Sequence, residues 1–394
     1  MGTKMALEGI RVFDASAGVA GPYAAHLLAL AGAEVIKVEP LQGDWGRMIG
    51  RKAGTVGLPF LTFNRGKKSL AIDLKQPAGL ALARDVARQC DIVVESFRPG
   101  VMDRLGLGYD RLRGDRPDIV YLAISGFGAR GPHAGRPALD TVIQAQAGWL
   151  DMTRDAQGAP VLMDYIPVDV LTGLYAAQAA TTALLARFRF GTGRRIDISL
   201  LEAAAAFLAP KLAEAAMLPP ATGGSAGVPT GIFPAAEGLV ALAIKDDREF
   251  ALLAQTLGHP EWSADARFTT RAARAGHRAA CEAAIIAALA EREAEAWDAD
   301  FARAGIVGAK VNSLRDLLDD PHFQALSRIC RDPQPGLGDT PRVQVPGQEV
   351  GMLAHAPAIG EHGPAVLADF GIAAERIAAA IEDGIIPASE GAPA

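Results

Sequence analysis

The sequence predicts an α/β protein with a parallel, doubly wound sheet and a second, smaller domain. Three observations carry this. Short β-branched runs alternate with longer helical patterns from the amino terminus, the joins between them are short, and the character of the chain changes after about residue 200. In order, "IRVFDAS" reads as a strand, a helix follows from Pro22 to about Leu30, and "AEVIKVE" is a second strand. "SLAIDL", a helix across 76–90, "DIVVESF" and "IVYLAISGFG" continue the alternation. The stretch 164–189, "DYIPVDVLTGLYAAQAATTALLARFR", is a long and almost wholly apolar helix with Pro167 in its first turn. Then "LPPATGGSAGVPTGIFPAAEG", rich in Gly and Pro, reads as a long connection. The strand "LVALAI" and Ala-rich helices to about 320 form the smaller domain, and the tail has a helix that can pack back on the first. The expected boundaries are 1–205 for the large domain, 206–228 for a linker, 229–325 for the small domain, and 326–394 for the return.

Composition narrows the functional classes. With 394 residues, 50% of them hydrophobic and 21% charged, the chain has material for roughly two globular domains. Its net charge of −6 comes without any basic block, so neither nucleic acid nor an anionic membrane is an expected partner. Cys90, Cys281 and Cys330 lie far apart, with no CxxC pair and no His at ligand spacing. No metal is expected, and the cysteines read as packing residues in a reducing compartment. "MGTKMALEGIRVFD" lacks the apolar core of a signal peptide, which gives a cytoplasmic expectation.

Several constellations lie where such a sheet binds ligands, beyond the carboxyl ends of its strands. The first strand runs into "ASAGVAGPYAAHLL", a glycine-containing turn that opens a helix and can offer backbone N–H groups. Glu39 ends the next strand where a ribose-binding acid would stand, but "GVAGPY" is not GxGxxG, so no nicotinamide is expected, nor a flavin. Arg65, Lys67, Lys68 and Lys75 flank one strand, and Arg98 and Arg104 follow another, with Phe97 and Val101 interleaved as an adenine beside phosphates would require. The loop "GFGARGPHAGRPALD" leads to Asp140, and His133 within it reads as a loop residue. No Ser-His-Asp or Cys-His set assembles. Asp169 stands alone at the mouth of the long helix. It is open to two readings, a first-turn anion favoured by the helix dipole or a reactive carboxylate.

Taken together in order and spacing, "LEGIRVFD", "AGP", "GAEVIKVE", "NRGKKSLAIDLK", "VVESFRPGVMDRLGLGYDRL", "ISGFGARGP", "RPALD" and "VDVLTGLYAAQAATTALLARFRFGTGRRIDISL" resemble the family III coenzyme A transferases, the CaiB/BaiF type. That family includes formyl-CoA and carnitine-CoA transferases and is related to the α-methylacyl-CoA racemases. The resemblance implies a Rossmann-like large domain built from both ends of the chain, a small α/β domain inserted between, and an interlocked homodimer. It implies that Asp169 is the nucleophile and that coenzyme A, as substrate, is held by Val19, Ala20, Ile72, Asp73, Leu74, Lys75, Ser96, Phe97, Arg98 and Arg104. Val101 and Asp140 complete the expected set. Three departures stand out: Val19 replaces a polar residue, Ser96 replaces an Asn, and "TGGSAGVP" does not match the mobile glycine loop of the formyl-CoA enzymes.

The implied chemistry passes coenzyme A from an acyl-CoA donor to a small carboxylic acid. A mixed anhydride and then a thioester form on Asp169, with glycine turns at 18–21 and 223–227 as candidate oxyanion donors. A racemase would need a His before the acid of "RPALD", where Leu139 stands. A non-catalytic acyl-CoA-binding paralogue could dispense with the acid, and Asp169 is present. The acids themselves are not written in the sequence; a succinyl donor is expected only because such donors are common in the family.

Overall fold

A computed structural model describes residues 5–155, 157–219, 227–348 and 351–388. It divides into two compact units, Met1–Ala213 with Arg328–Ala394, and Glu214–Ser327.

The first unit is built on six parallel strands: β1 (Arg11–Ala15), β2 (Glu34–Glu39), β3 (Lys68–Ala71), β4 (Ile92–Glu95), β5 (Val120–Ser125) and β6 (Arg194–Ser199). Their spatial order is β3-β2-β1-β4-β5-β6, all in parallel register. β1, β2 and β4 are near-continuous runs of buried residues because helices cover both faces of the sheet. The order reverses between β1 and β4, and a crevice opens beyond the carboxyl ends of strands that diverge in this way.

Helix α1 (Ala20–Leu30) leaves β1, α2 (Pro77–Ala87) joins β3 to β4, and α3 (Asp140–Gln146) and α4 (Pro167–Phe190) lie in the crossover from β5 to β6, which α5 (Leu200–Phe207) follows. α1 starts earlier than Pro22, at Ala20, because proline fits the first turn without loss of a bond. α4 is 24 residues long and apolar enough by length and composition to cross a bilayer. Here it is a sheet crossover, with Ala176, Ala180, Ala183 and Leu184 buried against α1 and the strands. Small residues allow that approach: a Cβ on Gly173 would stand 2.8 Å from the Tyr23 ring and 2.9 Å from the Ala20 carbonyl. Since α1 follows one parallel strand and α4 leads into another, both begin at the carboxyl edge of the sheet.

On the opposite face, Val366, Leu367, Phe370 and Ile377 of the carboxyl-terminal helices join Ile36, Leu70 and Val93 in one core. The hairpin Ile329–Gln334 with Gly338–Val343 belongs to this unit and had no sequence signal beyond "GLG". The expected linker 206–228 is only partly a connection. "APKLAEAAM" is made of helix formers and folds as Ala209–Met217, while the Gly/Pro character starts at Pro219.

The second unit has an antiparallel sheet of Thr230–Pro234, Leu239–Ala243 and Gly308–Lys310, covered by helices whose Phe250, Leu253, Ile285, Trp297 and Phe301 form its own core.

Candidate functional site

The carboxyl ends of β1, β3 and β4 share a local device. Asp14, Asp73 and Glu95 each accept the backbone N–H two residues on, at Ser16 (3.1 Å), Lys75 (2.9 Å) and Phe97 (2.7 Å). An acid in this position bends the chain out of the strand and fixes the turn that follows. These turns wall a cavity of about 1280 Å³ at the switch point. Ile72, Asp73, Leu74, Lys75, Ser96, Phe97 and Arg98 line it, together with the start of the β1 turn, residues between Pro40 and Met48, and Thr55 and Val56. Lys75 and Arg98 are exposed and have no carboxylate partner among the described residues. Sequence reasoning missed Leu41, Trp45, Met48 and Ile359, which supply apolar wall. Their signal was available, as apolar residues left bare in a Gly-rich segment.

The β1 turn is rigid. Gly18 has φ 80° and faces Trp45, whose ring would lie 2.4 Å from any added Cβ, so only glycine fits. Its N–H donates to Asp44 Oδ1 (3.0 Å), Asp44 pairs with Lys37 (2.7 Å), and Lys37 Nζ donates to the Ser16 carbonyl (3.1 Å). Glu39 is fully committed: Arg47 reaches both its oxygens, Ser69 Oγ donates to Oε1 (2.6 Å), and the Asp44 N–H donates to Oε2 (2.8 Å). No lone pair is left over for a ribose. Ser96, expected to bind the cofactor, lines the cavity and also has a structural task. Its hydroxyl accepts the Ala17 N–H (2.9 Å) and donates to the Ala17 carbonyl (3.3 Å), tying the β1 and β4 turns together across the switch point.

The basic run "NRGKK" is split by the fold. Lys67 is wholly buried, paired with Asp14 (2.8 Å) and donating to the Pro22 carbonyl (2.7 Å) and Asn64 Oδ1 (2.9 Å). Burial pulls its ammonium down to about 8 against the pull of Asp14. Lys68 pairs with Glu34 (2.6 Å), and buried Arg65 donates to Thr340 Oγ1. Of that cluster, only Lys75 lines the cavity.

Val19, Ala20, Val101, Arg104, Asp140 and Asp169 do not line it. Val19 and Ala20 are buried at the start of α1, where the N–H groups of Ala20 and Gly21 have no acceptor among the described residues. Val101 opens the short helix Val101–Arg104 and is half-buried, while Arg104 ends it exposed. Asp140, expected to bind the cofactor, is buried and turned to the protein. Its Oδ2 accepts the Asp169 N–H (2.9 Å) and its Oδ1 accepts from Gln144 Nε2. The physical reason is that α4 starts from Ile166, which has no side-chain oxygen, so the cap comes from another helix.

The same geometry bears on the two readings of Asp169. It occupies the third position of α4, and its carboxylate accepts no hydrogen bond and meets no cation among the described residues. Burial, and then repulsion from Asp140, push it up to about 7. The capping task belongs to Asp140. Of the two glycine turns expected to offer oxyanion donors, 223–227 lies, except for Gly227, outside the described residues. Among the described residues, no group of three or more His, Cys, Asp or Glu is arranged to hold a metal ion.

Comparison with known proteins gives the family. The family model described as CoA-transferase family III matches residues 7–363. The chain is 32% identical to the succinyl-CoA–D-citramalate CoA-transferase of Chloroflexus aurantiacus, over 92% of this chain and 94% of that one. It is 31% identical to the succinate–glutarate CoA-transferase of Agrobacterium fabrum, over 93% of this chain and 96% of the other. A CaiB/BaiF family protein from Brucella suis superposes with a TM-score of 0.84 at 29% identity, covering 93% of this chain and all of its own.

Proposed function

The chain belongs to CoA-transferase family III, and from that premise we propose that it moves coenzyme A from an acyl-CoA thioester to a free carboxylic acid through covalent intermediates on Asp169. The observation that carries this reading is the state of Asp169: an unpaired carboxylate at the carboxyl edge of the sheet, raised to about 7, with its backbone held by Asp140. An ion pair would lower both its proton affinity and its nucleophilicity. Its isolation does the opposite while leaving it ionised above neutral pH.

In the proposed sequence, Asp169 Oδ attacks the acyl carbon of the thioester, the C–S bond breaks, and coenzyme A leaves as the thiolate, giving a mixed anhydride. The thiolate then attacks the aspartyl carbonyl, which expels the first carboxylate and leaves an aspartyl-CoA thioester. An incoming carboxylate attacks this carbonyl and releases the thiolate once more. The thiolate takes the new acyl group from the second anhydride and regenerates Asp169. No proton or water is consumed, so the site must exclude water more than supply acid. The open amides of Ala20 and Gly21 at the N-terminus of α1, which meets α4 at Gly173, are placed to receive developing negative charge. Lys75 and Arg98 supply positive charge for the phosphates of the nucleotide in the cavity.

The acids named for the relatives make succinyl-CoA the first donor to test, with glutarate and citramalate among the acceptors. We also infer a homodimer, because Leu174, Leu185 and Phe188 leave the outer side of α4 bare. The test is an exchange assay that follows labelled coenzyme A between a donor thioester and a panel of free acids. Transfer is expected with at least one pair, and Asp169→Asn should lower it by at least about a thousandfold. Full transfer by that variant would end the proposal.

A further inference from the structure

Buried carboxylates in this protein are, as a rule, ion-paired. Asp14 has Lys67 at 2.8 Å, Glu39 has Arg47 at 2.6 Å, Asp44 has Lys37 at 2.7 Å, Asp91 has Arg116 at 2.6 Å and Asp332 has Arg342 at 2.5 Å. Among the described residues, Asp169 aside, two buried carboxylates break the rule, and each holds a backbone N–H of the candidate site. Asp140 holds that of Asp169, as described above. Glu95, which the sequence reading passed over inside "VVESF", holds that of Phe97 at 2.7 Å and is 7% exposed.

Glu95 ends β4 at the switch point. Across the sheet it shares a row with Ala123 of β5 and Asp197 of β6. The charged and titratable groups facing it are Arg195 and Asp197 on β6, Asp103 on the short helix Val101–Arg104, and the phenol of Tyr121 on β5. Arg195 is already bound to Asp197 at 2.8 Å, so Glu95 has no cation of its own. A buried acid left so costs stability and needs a compensating use. The turn it controls is the part of the cavity wall formed by Ser96, Phe97 and Arg98. Ser96 is fixed by Ala17 on one side, and Pro99 restricts Arg98 on the other, which leaves the Phe97 amide as the one joint that Glu95 sets.

We propose that Glu95 is a positioning residue for the thioester: by holding the Phe97 amide, its carboxylate sets the 96–98 turn in the shape that presents Phe97 and Arg98 to coenzyme A. The inference rests on the reading of the cavity as the coenzyme A site. Burial lifts Glu95 to about 7, so the charge-assisted bond is at full strength above neutral pH and weakens as pH falls through that value.

The test is calorimetric titration of the full chain with free coenzyme A from pH 6 to 8.5, for the wild type, Glu95→Gln and Glu95→Ala. Asp169 and the phosphates of the coenzyme titrate alike in all three, so differences between the profiles isolate Glu95. Wild-type affinity should fall about three- to tenfold more than that of Glu95→Gln over the acidic part of the range. The Gln amide oxygen still accepts the Phe97 N–H but does not titrate, so this variant should bind within about threefold of wild type at pH 8.5. Glu95→Ala should bind about tenfold more weakly throughout, and in turnover it should raise KM for the thioester more than it lowers kcat. If Glu95→Ala is too unstable to titrate, the Gln profile decides alone. Wild-type affinity and pH profile in the Gln variant would overturn the inference and leave the Asp169 reading intact, whereas a wild type that binds no coenzyme A would bring down the cavity reading and this inference with it.

Discussion

The two ends of β4 carry the same chemistry in opposite states. At its amino end Asp91 is gripped by Arg116 (2.6 Å) and Arg187 (2.9 Å); at its carboxyl end Glu95 has only a backbone N–H. The contrast extends along the carboxyl edge. On the β1–β2–β3 side the acids Asp14, Glu39 and Asp44 are locked to Lys67, Arg47 and Lys37, and these pairs hold the turn around Gly18 in one shape. Past the switch point, Glu95, Asp140 and Asp169 have no such partners among the described residues. Paired acids serve as scaffold, and their pairing gives the pocket its rigidity. Of the unpaired ones, burial gives Glu95 and Asp169 a high proton affinity near neutral pH, which scaffold does not need and the proposed nucleophilic chemistry does.

Breaking a pair should therefore do what removing an unpaired acid does not. Lys67→Met leaves Asp14 buried without its closest cation and should cost about 3–5 kcal/mol of stability, read from denaturant unfolding. Asp169→Asn, by contrast, should unfold at the same or a higher denaturant concentration while activity is lost. Equal destabilisation by the two would erase the distinction between scaffold and site.

A smaller effect sharpens the comparison. Asp140 raises the proton affinity of Asp169 and also caps its helix, and Asp140→Asn separates the two roles because the Asn oxygen can still accept the Asp169 N–H. The proposed attack needs Asp169 ionised, and burial and Asp140 push it up to about 7, so kcat/KM should rise with pH through that value and be lost below it. With the Asp140 charge gone, the carboxylate is easier to form, and the acidic limb of the profile should move to lower pH at nearly unchanged stability. An unmoved limb would mean that burial alone sets Asp169.

Much of this was legible in the sequence, and what was not has a physical reason. "IRVFDAS", "AEVIKVE" and "DIVVESF" are buried on both faces and short, so the parallel sheet could be read from them directly. Its strand order, and thus the switch point, depends on contacts between segments far apart in sequence. Asp169 was visible as an acid alone in an apolar helix, and 72–75 and 96–98 as strand ends. Asp140 was misplaced as a cofactor ligand, because nothing local shows that a carboxylate caps a helix begun 27 residues later. The basic residues Arg65, Lys67, Lys68 and Lys75 read as one group flanking a strand, whereas Arg65 and Lys67 lie in the turn before β3, Lys68 opens it and Lys75 follows it, and the first three go to different partners. Glu95 had a signal, a charge ending an apolar run, which the adjacent arginine overshadowed.

The most direct test of the role of Asp169 is mass spectrometry of the intact protein after brief incubation with succinyl-CoA and other acyl-CoA thioesters, followed by hydroxylamine trapping and peptide mapping. The account predicts an adduct on the peptide containing Asp169, formed only with thioesters that support exchange and absent in Asp169→Asn. Coenzyme A transfer at the full rate with the modification on another residue, or with none, would contradict it.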